Sequence, residues 1–152
     1  MNKVWEYNDG GRAESGYKGN AGDCVTRSIA IVTGLPYQKV YNDLKSANKE
    51  YAESKRTKVA KSLKRNGNTP RNGVYKQVYR PYLESLGYKF VSTMGIGTGC
   101  KMHLKAEELP KGKIIARVSK HLCAVVDGVI QDTYDCSREG TRCVYGYFIK
   151  IS

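Results

Sequence analysis

Apolar positions along this chain change their period near its middle. In the first half they recur every three or four residues, the spacing of helices with one buried face. Val25, Ile29 and Val32, with Ser28 and Ala30 alongside, mark a helix over about 24–33, with Asp23 placed to cap its start and Gly34 to stop it. Tyr37, Val40, Tyr41 and Leu44 mark a second helix that opens at Leu35-Pro36 and runs on past Tyr51. Val78, Tyr82, Leu83 and Leu86 mark a third over about 74–86, with Pro81 as a bend or a fresh start and Gly87 as its end. Beyond residue 87 the apolar runs become short and strand-like: 88–92, 113–119, 121–126, 129–133 and 143–151.

Turn chemistry joins these runs. Asp127-Gly128 between two apolar stretches is a hairpin signal. The glycine-rich residues 1–22 read as a short strand or coil and an irregular loop. A basic, mobile loop is expected over 54–73, and 94–101 forms a second glycine-rich loop. Helices first and strands afterwards imply an α+β fold over 1–152, a single domain in which N-terminal helices pack on a C-terminal antiparallel sheet.

Composition narrows the setting. The chain has 152 residues, 40% hydrophobic and 26% charged, ordinary for a globular protein. No apolar run approaches the roughly 20 residues of a membrane helix, and the first residues lack the apolar centre of a signal peptide. The expectation is a cytoplasmic protein, in a host cytoplasm if it is phage-encoded, with no membrane partner. Five cysteines at irregular spacing then suggest reduced thiols rather than a disulfide framework, although Cys136 and Cys143 flank one loop and could bridge under oxidation. A zinc set of Cys100, His103, Cys123, Cys136 and Cys143 has no CxxC pair and matches no zinc spacing, so neither metal nor cofactor is expected. The net charge is +12, concentrated in residues 39–80, where twelve Lys and Arg face three acids. That segment can face nucleic acid or an acidic protein, and a non-catalytic basic binder is the alternative to an enzyme. Oligomeric state is not legible.

Candidate chemistry lies at Cys24. A cysteine in the first turn of a helix meets free backbone N–H groups and the positive end of the helix dipole, both of which favour a thiolate. A base would have to come from elsewhere. If Asp127-Gly128 is a two-residue loop, Val126 pairs with Val129, Cys123 with Asp132 and His121 with Tyr134. Side chains alternate with period two, so His121 and Asp132 share a face and lie diagonally adjacent. Cysteine, histidine and an orienting carboxylate form a nucleophilic set. The Cys24 backbone N–H and the Asn20 amide are candidate oxyanion donors. Arg138 and Arg142, in the polar loop between Cys136 and Cys143, are candidates for binding an acidic group of a protein or peptide substrate.

Two stretches carry a resemblance: Gly22-Asp-Cys-Val-Thr-Arg-Ser-Ile-Ala-Ile and His121-Leu-Cys-Ala-Val-Val-Asp-Gly-Val-Ile-Gln-Asp132. Their order resembles the papain-like cysteine peptidase superfamily, with cysteine on the first helix and histidine and Asn or Asp on successive strands. The second stretch is similar to bacterial peptidases in which a histidine opens a hairpin and an aspartate closes it. The first is similar to ovarian-tumour deubiquitinases, where an acidic or glycine-rich loop precedes the cysteine. Small size and basic charge are similar to phage and bacterial members. The resemblance implies a papain-like fold and a thiol hydrolase or acyltransferase acting on a peptide, isopeptide or other amide bond. Papain-like enzymes usually carry a glutamine several residues before the cysteine; here that region reads Tyr17-Lys18-Gly19-Asn20.

Overall fold

The computed structural model describes residues 4–17, 23–67, 69–70, 73–95 and 97–151. Among these the order of elements is β1 (Trp5–Tyr7), α1 (Cys24–Thr33), α2 (Tyr37–Ser54), α3 (Lys58–Asn66), α4 (Lys76–Ser85), β2 (Tyr88–Ser92), β3 (Lys113–Val118), β4 (His121–Val126), β5 (Val129–Asp132) and β6 (Gly146–Lys150). The strands form one sheet in the order β1-β5-β4-β3-β6-β2. The fold is α+β. No helix among the described residues is long and apolar enough to cross a membrane.

Both faces of the sheet are covered. Ile115, Leu122, Ala124 and Phe148 meet Val25, Ile29, Val40, Leu44 and Leu83 from the helices. On the opposite face Ile114, Ala116, Cys123, Val125 and Ile130 meet Leu104, Leu109 and Val144 from the long connections. Alternate residues of β3 and β4 are thus buried on opposite sides, which is why their sequence reads as nearly continuous apolar runs. Each fully buried Val, Leu or Ile contributes roughly 1.5–3 kcal/mol, so the central strands anchor both layers.

The hairpin forms in the expected register, with Val126 opposite Val129, Val125 opposite Ile130 and Ala124 opposite Gln131. Asp127 and Gly128 both take positive φ, 49° and 82°, as the mirror-image turn of a tight hairpin requires. A side chain at Gly128 would also meet Ala106, whose Cβ would lie 2.8 Å away.

Several expectations are corrected. The sheet is mixed rather than antiparallel, because β1 pairs in parallel with β5, Trp5 opposite Ile130. The expected loop over 54–73 contains α3. Thr57 caps α3 by accepting from the Ala60 N–H at 3.2 Å, and Ala60 and Leu63 are buried beneath it. With so few apolar anchors its charged face masks the helical period. Asp23 holds the N-cap position of α1, but its side chain caps nothing. The carboxylate instead accepts from the Tyr37 hydroxyl at 2.6 Å and pairs with Arg12 at 3.1 Å and Arg27 at 3.2 Å. This buried cluster ties α1 to α2 and to the N-terminal segment. Finally, Cys100 and Cys143 form a disulfide, so the expectation of reduced thiols fails for this pair. Cys143 bridges to Cys100 rather than to Cys136.

Because Gly128 combines a left-handed backbone with close approach to Ala106, Gly128→Ala is expected to destabilise the protein by about 1–2 kcal/mol. Chemical denaturation would show this as a lower midpoint at unchanged slope. An unchanged midpoint would contradict the turn assignment.

Candidate active site

Asp132 ends β5 and is buried, at 4% exposure. A buried carboxylate must be paired, and this one is paired from two directions. His121, at the start of β4, places Nε2 2.6 Å from Oδ2. Arg27, on α1, places Nη1 3.3 Å from Oδ1 and donates to the Thr133 hydroxyl at 2.7 Å. The Thr133 backbone N–H also donates to Oδ1, at 2.7 Å. The Asp132 carbonyl accepts from the Trp5 indole at 3.0 Å and from the Asn8 N–H at 2.9 Å. The N-terminal strand therefore holds the residue that holds the histidine.

His121 and Cys24 line one cleft of about 590 Å³. Cys24 is half-buried at the first turn of α1, close enough to the imidazole to act on its protonation. Helix and strand are joined beside the site by Ser28, whose hydroxyl donates to the Leu122 carbonyl at 3.0 Å. Since Nε2 faces Asp132, Nδ1 is the nitrogen left for a second partner. Tyr134 packs against the ring, with centroids 5.6 Å apart.

Burial alone would disfavour a charged imidazole. The hydrogen bond to Asp132, with the Cys136 and Cys24 sulfurs nearby, outweighs it and pushes His121 up to about 12. The pairing therefore favours the charged form of the ring. Cys136, absent from the expected set, is the further group beside it. Its sulfur lies 3.4 Å from that of Cys123, and the hydrogen bond shared with Cys123, together with His121, draws Cys136 down to about 6. Cys123 is pushed up, first by its hydrogen bond to Cys136 and then by burial. Of the two buried thiols, the Cys136 sulfur is thus the one that His121 favours as a thiolate. Nothing in the loop sequence around Cys136 marks this role.

His121, Asp132 and Cys136 are also the one group among the described residues arranged for a metal, with ligand atoms within 4.8 Å of one another. The carboxylate and imidazole of that group are already bonded to each other. The zinc set weighed in the sequence does not assemble: Cys100 and Cys143 are bridged, and His103 pairs with Glu108 at 3.2 Å.

The structure thus brings Cys24, His121 and Asp132 to one end of the sheet. Asn20 lies outside the described residues. Arg142 is a correction: it is buried, donating to the Cys136 and Ser119 carbonyls, and so pins its loop rather than facing the cleft. Arg138 is exposed and does not line the cleft either. Arg27 is a site residue that the sequence reading does not single out, although its place four residues after Asp23 offers a signal for an ion pair.

Comparison with protein-family models, with curated proteins and with solved structures found no match.

The pairing sets a titration. Both ring nitrogens of His121 are expected to stay protonated between about pH 5 and pH 9, where an ordinary histidine titrates near 6.5. Asp132→Asn removes the strongest hydrogen bond that favours the charged ring, so the pKa falls and titration returns to that window. Proton NMR of the two histidines follows both proteins. A native His121 titrating near the ordinary value would contradict the account.

Proposed function

We propose that the protein is a cysteine-dependent hydrolase or acyltransferase of papain-like architecture, acting on a peptide, isopeptide or other amide bond. The observation that carries this reading is the 2.6 Å contact of His121 Nε2 with a buried Asp132, made on the cleft that Cys24 also lines. A histidine so held presents its other nitrogen in a fixed direction, and Cys24 lines the same cleft with a helix N-terminus behind it.

The proposed chemistry runs through a thioester. Cys24 Sγ attacks the amide carbon as the thiolate, with the imidazolium as its counter-charge. The carbonyl oxygen becomes an oxyanion, which the Cys24 backbone N–H is placed to receive. Asp23 leaves that helix end open by turning its carboxylate to Arg12, Arg27 and Tyr37. Asn20 remains the proposed second donor. His121 then gives its proton to the departing nitrogen, and the C–N bond breaks. Water, or an acceptor amine, loses a proton to His121 and attacks the thioester, releasing Cys24. Asp132 stays ionised and holds the ring.

An electrophilic thiol reagent is expected to label Cys24 faster than Cys123 or Cys136, both of which are buried. His121→Ala should slow Cys24 labelling by about tenfold or more, the lower part of the range for loss of a positioned acid–base group. Peptide mapping by mass spectrometry reads both rates. Equal labelling of the free cysteines, or indifference to His121→Ala, would remove the catalytic reading. The exposed cations of α3 (Lys58, Lys61, Lys64 and Arg65) would then be the surface to test for binding nucleic acid or an acidic protein.

A further inference from the structure

The cleft beside Cys24 has a charge of its own. Besides His121, four cations line it (Arg27, Lys76, Arg117 and Lys120), and no aspartate or glutamate does so among the described residues. Arg27 is committed to Asp132 and Asp23. The other three have no carboxylate partner in the cleft wall. Arg117 lies on β3 with its guanidinium 5.9 Å from the centre of the Tyr145 ring. Lys120 occupies the turn between β3 and β4 with φ of 57°, immediately before His121. Lys76 begins α4 on the facing wall and is exposed, as Lys120 is. Tyr75, Tyr79 and Tyr134 add hydroxyl-bearing rings between the cations.

This arrangement does not come from the basic stretch alone. Lys76 belongs to residues 39–80, but Arg117 and Lys120 come from the sheet, where the sequence is mainly apolar. Register brings them to the site: Val118 pairs with His121 and Arg117 with Leu122. The positive wall therefore flanks the base itself. A cleft with one sign of charge and low-dielectric walls concentrates ligands of the opposite sign. Guanidinium and ammonium groups around a planar apolar rim suit a carboxylate.

We infer that the cleft takes an acyl donor with a carboxylate close to the scissile amide, seated between Arg117 and Lys120 on one wall and Lys76 on the other. The inference rests on the thiol-hydrolase reading and names its substrate class: acidic peptides or peptide-like amides. The carboxylate can belong to an acidic side chain or to a chain end. This role replaces the one first expected of Arg138 and Arg142.

The simplest probe is a pair of small alkylating reagents. Iodoacetate and iodoacetamide react at sulfur by the same step, in which the thiolate displaces iodide and a C–S bond forms, and each rate is taken relative to that reagent's rate with a small free thiol. They differ in carrying a carboxylate or a neutral amide. On the intact chain at low salt, Cys24 is expected to react about tenfold faster with iodoacetate than with iodoacetamide. The ratio should collapse in Lys76→Gln/Lys120→Gln, whose sites are both exposed, fall further on adding Arg117→Gln, and shrink as salt screens the cleft. Should the triple variant misfold, the exposed pair alone decides. Peptidyl vinyl sulfones then separate the two sources of the carboxylate. One carries an internal glutamate; its counterpart is uncharged apart from a free carboxylate beyond the sulfone. Faster labelling by either one than by its amide analogue supports the inference and identifies the source. Cys24 labelling with no preference for iodoacetate, or a preference that survives the lysine substitutions, overturns the inference and leaves the nucleophile standing. No labelling of Cys24 by either reagent overturns both.

Discussion

The site depends on one buried carboxylate. Asp132 is almost fully removed from water, where an unpaired charge would cost several kcal/mol. Its two oxygens are divided between an arginine of the first helix and a histidine of the neighbouring strand. The same ion therefore does two jobs. Through Arg27 it fastens α1 to the end of the sheet, and through His121 it sets the orientation of an imidazole. Cys24 precedes Arg27 by less than one helical turn, so fastening one positions the other. Trp5 and Asn8 complete the hold by bonding to the Asp132 carbonyl, which makes the N-terminal strand part of the support for His121.

Such a centre stores charge in layers. Asp132 and the Cys136 sulfur lie beside an imidazolium; Asp23 lies between Arg12 and Arg27; three further cations line the open cleft. The buried charges are matched close by, as low dielectric demands. The unmatched charge faces the cleft, where a ligand would meet it.

Much of this arrangement is legible in the local periodicity of the chain. Helix α1 and strands β2 and β4 fall on their expected residues, because each has a clear apolar period and a glycine or tight turn at its end. The juxtaposition of His121 and Asp132 follows from counting outward from Asp127-Gly128, since a two-residue loop leaves no freedom in register. What escapes the pattern is non-local or thinly anchored. The parallel pairing of β1 joins residues more than a hundred positions apart, and a three-residue strand has too little pattern to announce itself. Helix α3 buries few residues. The Cys100–Cys143 bridge links a glycine-rich loop to a strand approach, and spacing cannot pair cysteines. Arg142 departs from expectation because a loop arginine facing solvent and one bonded to two backbone carbonyls look alike in sequence.

The most direct test of the central claim is the distance from the Cys24 sulfur to His121 Nδ1 in a crystal structure of the chain. The expected value is about 4 Å or less, allowing for looseness in a ligand-free form, with Nε2 still bonded to Asp132. A separation beyond about 8 Å, or an imidazole turned so that Nδ1 meets Asp132 and Nε2 points away from Cys24, would contradict it.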